Sequence, residues 1–176
     1  MEEFKKLENI YQQDEGLRLF GIATGQCFTL DAIYTSLSAI RLSPSAPEKV
    51  HNLFNVAKNL ALYSWFSGGL AAMADMQGFV VVERALKMRF PDFEDQSLKG
   101  LFDHAVEECW IMDQRFSHVE CHPMDPQAYS RRLKYLLRKR RNNAMHGDGG
   151  YLDFDCIQGI QIVAEIVNQL FPDVKP

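Results

Sequence analysis

Leu98, Leu101, Phe102, Ala105, Val106 and Cys109 recur at i, i+3, i+4, i+7, i+8 and i+11. At 3.6 residues per turn this spacing makes one apolar stripe; on a pleated strand it would scatter over both faces. No strand signal of comparable strength competes with it. Val80-Val81-Val82 is the only run of three β-branched residues, and it lies inside another helical pattern. No Asn-Gly or Asp-Gly pair joins two alternating segments. The chain is therefore expected to be all-α.

Local signals divide it into helices. Ser97 is the candidate N-cap of the striped segment. Pro47 to about Tyr63 and Leu70 to Arg89 read as helices, with Gly68-Gly69 as a kink or break between them. Two further helices are expected before Ser43-Pro44, and Ser43 to Pro47 reads as a linker. The segment from Glu108 to Asp125 reads as irregular. Asp125-Pro126 looks like an N-cap followed by proline at the first helical position, opening a helix that runs to about Met145 and stops at Gly147. A last helix, capped by Asp153 or Asp155, carries Ile157, Ile160, Ala164, Val167 and Phe171 on one stripe and ends at Pro172. The expected architecture is an N-terminal helical extension, residues 1–46, on an antiparallel helical bundle, residues 47–176.

With 47% hydrophobic residues among 176, the chain can bury a sizeable core. Its charged start, MEEFKKLENIYQQDEG, does not read as a signal peptide. Its most apolar stretches are interrupted by Gln26, Asp31, Lys58, Asp75 and Gln77, so no membrane span is expected and the chain reads as cytoplasmic. The four cysteines are scattered and read as buried, reduced thiols. Trp65, Phe66 and Phe79 are expected in the core or at a dimer interface.

Charge is unevenly placed. The net charge is −4, yet Arg131, Arg132, Lys134, Arg138, Lys139, Arg140 and Arg141 fall in one run without an acidic residue. A concentrated cationic helix on an acidic chain suits an anionic partner such as phosphate, or a solvated face paired with acidic neighbours. Leu133, Leu136, Leu137 and Ala144 share that helix's apolar face, and Arg140 falls among them. A desolvated guanidinium needs a partner, and Glu83 is the candidate for an Arg140–Glu83 ion pair.

The run ends in Arg141-Asn142-Asn143-Ala144-Met145-His146. Arginine offers a permanent cation with a donor fork matched to phosphate oxygens, and histidine titrates near neutrality. Together they can bind a phosphodiester, stabilise its transition-state charge and assist attack by a ribose 2′-hydroxyl. Residues five apart on a helix point about 140° from each other. The two therefore share a site only if the helix unwinds near Gly147 or a second protomer contributes. The other reading places both as cations at a helix C-terminus, where the dipole favours them.

LLRKRRNNAMHG, followed by a loop and an apolar final helix, resembles the HEPN domains (higher eukaryotes and prokaryotes nucleotide-binding), whose signature is arginine, a polar residue, a short spacer and histidine. MADMQGFVVVERALKMRFP is similar to an upstream HEPN helix, with Glu83 as its embedded acid. The resemblance covers about Asn55 to Phe171. It implies a homodimeric all-α bundle whose two motifs meet in one cleft, acting as a metal-independent endoribonuclease in toxin or antiviral defence roles. Arg141 would bind phosphate and the transition state, His146 would serve as acid/base or phosphate contact, and Asn142 would orient. Arg131, Lys134, Arg138 and Lys139 would hold RNA or a nucleotide. An antitoxin or other regulatory protein would be a partner. One HEPN toxin branch has a tyrosine two residues after the histidine; here Asp148 stands there. The alternatives are an RNA- or nucleotide-binding module without catalysis, and a helical subunit that docks on a partner protein.

His118, Cys121 and His122, with Cys109 upstream, are potential zinc ligands at non-standard spacing and read as loop side chains. No metal and no cofactor is expected, and no Walker loop, dinucleotide fingerprint or nucleophile elbow is present.

Overall fold

Side-chain caps fix where several helices begin. In a computed structural model describing residues 4–93, 95–120, 122, 124–136 and 156–173, the fold is all-helical. Helix α1 (Glu15–Thr24) is capped by Asp14, α2 (Leu30–Ala39) by Thr29, and α5 (Leu98–Glu107) by Ser97, each accepting from a backbone N–H three residues on. Such caps stabilise by about 1 kcal/mol each. Between them lie α3 (Glu48–Tyr63) and α4 (Gly69–Arg89), separated by a break over residues 64–68 that ends at the Gly68-Gly69 pair. Residues 128–136 are helical and are called α6; α7 spans Cys156–Leu170. No strand occurs among the described residues.

Helix α4 is the hub. It packs on α3, α5 and α7, and its buried residues, Ala74, Gly78, Phe79, Val81, Val82, Ala85 and Leu86, spread over more than one side. Gly78 allows the α4–α7 crossing: a Cβ there would stand 3.0 Å from Val163 Cγ2. Helix α7 is buried on most of its circumference, including Ile160, Val163, Ile166, Val167 and Leu170. That pattern suits a helix enclosed by others rather than lying on a surface. Phe54 of α3 and Phe102 of α5 are among the largest fully buried side chains.

Two local expectations change, at residues 43–47 and at Cys109. Ser43 to Pro47 is a pinned connection rather than a loose linker. Ser43 and Ala46 are buried. The Ser43 N–H donates to Asn168 Oδ1 (2.6 Å), its hydroxyl to Asp173 Oδ1 (2.5 Å), and Asn168 Nδ2 donates to the Arg41 carbonyl. Ser-Pro composition marks irregular backbone, but whether that backbone is tethered depends on partners more than a hundred residues away. Leu17, Ile33 and Leu37 of α1 and α2 belong to the same buried cluster as the bundle residues. Cys109 is not the last residue of the α5 stripe. It is exposed, at φ 59°, in a C-terminal motif where its own N–H donates to the Val106 carbonyl and that of Trp110 to Ala105. Of the other thiols, Cys156 is buried, Cys27 is exposed, and Cys121 lies outside the described residues.

Candidate nucleic-acid interface

The first turns of the basic helix, α6, are positioned by a residue from outside it. Asp113, 1% exposed, lies in the irregular segment after α5. Its Oδ2 accepts from the Tyr129 N–H (2.8 Å), and its Oδ1 from the Ser130 N–H (2.8 Å) and hydroxyl (2.5 Å). A carboxylate on the orphan N–H groups of a helix start satisfies donors and complements the dipole. Asp125, the expected cap, has a lesser part: its Oδ1 accepts from the Gln127 N–H at 3.4 Å. The cap falls to Asp113 because the helix begins three residues after Asp125.

Ser130 and Leu133 point into the core, while Arg131, Arg132, Tyr135 and Leu136 are exposed. The cations differ in how far their charge is already matched. Arg131 forms an ion pair with Asp125. Lys134 bonds Asp103 on α5, whose other oxygen lies 3.2 Å from Lys99. Arg132 has no ion pair among the described residues.

Titration follows these contacts. Burial would raise the Asp103 carboxyl, but hydrogen bonds from Lys134 and Lys99 outweigh it and hold the group below its ordinary 3.8. The hydrogen bond to Asp103 raises Lys134 above its ordinary 10.5. The hydrogen bond from Arg131 lowers Asp125, although that carboxylate is on the surface.

Arg138, Lys139, Arg140, Arg141, Asn142 and His146 lie outside the described residues, and so does the expected Arg140–Glu83 pair. Glu83 itself is a partly exposed residue of α4, 3.1 Å from Lys87 Nζ. Of the expected phosphate-contacting residues, Arg131 and Lys134 share one helix, each with a carboxylate partner.

No local sequence signal points to Asp113 or to Glu165. Glu165 is a carboxylate of α7, 8% exposed, that accepts from the Ser117 N–H and from Gln161 Nε2. Both stabilise backbone or side chains distant in sequence, a role no periodicity encodes. Of the potential zinc residues, Cys121 lies outside the described residues. His122 Nδ1 accepts from the Met124 N–H, Cys109 lies near Gln127, and His118 faces Glu165 and Tyr129. No described helix is long and apolar enough to cross a membrane. No family model, curated protein or solved structure matches the chain.

Proposed function

We propose that the chain is a homodimeric, HEPN-type endoribonuclease that cuts RNA without a metal ion. A ribose 2′-hydroxyl attacks the adjacent phosphodiester, the bond to the 5′-oxygen of the next nucleotide breaks, and the products are a 2′,3′-cyclic phosphate and a 5′-hydroxyl. Arg141 neutralises the phosphate as charge builds, His146 moves the proton, and Asn142 orients the pair. One observation carries the reading: the run Arg141-Asn142 to His146 continues in sequence from a helix with arginines on its exposed face, within an all-α bundle. A toxin or phage-defence role, with an antitoxin or regulatory partner, belongs to the same reading.

The ion pairs of α6 support a division of labour among the cations. Arg131 and Lys134 already have carboxylate partners, so phosphate must compete with Asp125 and Asp103 for them. Arg132, Arg138 and Lys139 supply the greater part of the contact.

The test is incubation of purified protein with total cellular RNA in excess EDTA, beside His146→Ala and Arg141→Ala. Wild type alone should cleave, and each variant should lose about 100-fold or more in rate while remaining folded. Equal cleavage by both variants would overturn the reading. Intact RNA bound in a salt-dependent way would favour the non-catalytic RNA- or nucleotide-binding module. A second reading, a helical subunit docking on a partner protein, is favoured by Phe4, Leu7 and Tyr11, whose side chains are almost wholly exposed at the N-terminus. It predicts no RNA binding and co-purification with another chain.

A further inference from the structure

Helix α6 turns an aromatic ring outward among its arginines. Tyr135 is 61% exposed, on the side that also carries the exposed Arg131 and Arg132. Residues three and four apart are neighbours on a helix surface, so Tyr135 lies beside both arginines. Core packing does not account for an aromatic there, because the buried side of these turns is made by Ser130 and Leu133.

The ring is also positioned by its neighbour. Lys134 Nζ stands 5.2 Å from the ring centroid, within range of a cation–π contact. That ammonium is itself fixed by Asp103 on α5. A tethered cation thus sits over one face of the ring, which leaves the opposite face for a ligand. An aromatic face beside cations is how single-stranded nucleic acid is held without reading its sequence: every base has a π-face to stack, and arginine takes the phosphate. A duplex cannot use the ring in this way, because its bases stack on one another and only unpaired bases can be splayed onto an aromatic side chain.

We propose that Tyr135 stacks on an unpaired base of bound RNA while Arg132, which no described carboxylate engages as Asp125 and Asp103 engage Arg131 and Lys134, holds a phosphate of the same strand. Tyr135 is then a specificity-determining residue that selects single-stranded over paired RNA. The inference rests on the reading of α6 as the RNA-binding helix and is independent of cleavage. The ring adds affinity without adding a charge, so its contribution does not vary with salt as a phosphate contact does.

The test measures binding to the full chain by fluorescence anisotropy, with a labelled 2′-O-methyl RNA strand that lacks the nucleophile and so stays intact. The same strand annealed to its complement is the second probe. Wild type should bind the single strand more tightly than the duplex, although the duplex carries more charge. Tyr135→Ala should weaken single-strand binding by between about fivefold and about a hundredfold, and leave both the duplex affinity and the slope of log affinity against log salt unchanged. Tyr135→Phe, which keeps the ring, should stay within about twofold of wild type. Tyr135 is on the surface, so both variants should fold, which far-UV circular dichroism checks. Wild-type affinity in Tyr135→Ala, or an equal loss on both probes, would overturn the stacking proposal and leave RNA binding by α6 standing. A changed elution volume for Tyr135→Ala with unchanged single-strand affinity would also overturn it and place the ring in a subunit contact. No binding of either probe by wild type would end the RNA-binding reading and this proposal with it.

Discussion

Cys109 adopts a left-handed backbone that glycine occupies without steric cost. Cys109→Gly should therefore stabilise the protein, by up to about 1 kcal/mol once glycine's extra unfolded-state entropy is counted, read as a higher urea midpoint at unchanged slope. Unchanged or lower stability would count against the strain argument. Asp113 makes the opposite case. Asp113→Ala strips acceptors from the Tyr129 and Ser130 N–H groups and from the Ser130 hydroxyl, and should cost about 2 kcal/mol or more. Asp113→Asn, which keeps one acceptor oxygen, should cost less. The Ser97 cap was legible because its partner is three residues away; Asp113 was not, because its partners lie sixteen and seventeen residues on.

Among the elements, α6 carries the functional argument, and the Asp103–Lys134 pair joins it to α5. The lowered Asp103 contributes stability that is present above pH 3.8 and is lost as pH falls through its depressed folded value. The raised Lys134 contributes stability that is present below pH 10.5 and is lost as pH climbs through its elevated folded value. The stability difference between wild type and Asp103→Asn should thus be level across neutral pH and shrink at the acid end; a difference that persists there would contradict the pair. The same contact predicts a split in RNA binding. Arg132→Ala should reduce the slope of log affinity against log salt by about one contact, whereas Lys134→Ala should change it less and lower stability instead. Equal slope changes would mean that phosphate displaces Asp103. Helix existence and type were readable from periodicity, as at α5. The burial of α7 on most sides was not, because enclosure depends on how many neighbours converge on one helix.

Across the whole molecule, an all-α bundle was legible from stripes and the scarcity of strand signals; that it is built on α4 and α7 was not. The tie between residues 41–43 and Asn168 and Asp173 was not, since proline and serine announce only that helical periodicity stops. The candidate site was legible as a motif, and its described surroundings add which basic residues are already matched by carboxylates. In the proposed chemistry Arg141 and His146 cleave RNA through a 2′-hydroxyl, so the sugar itself is a reactant. The most direct test compares a labelled RNA with the same strand made 2′-deoxy at the cleaved position, in EDTA, using wild type and His146→Ala. Cyclic-phosphate ends are expected from wild type on the all-ribose strand alone. Cleavage of the deoxy strand at the same position, or undiminished cleavage by His146→Ala, would contradict it.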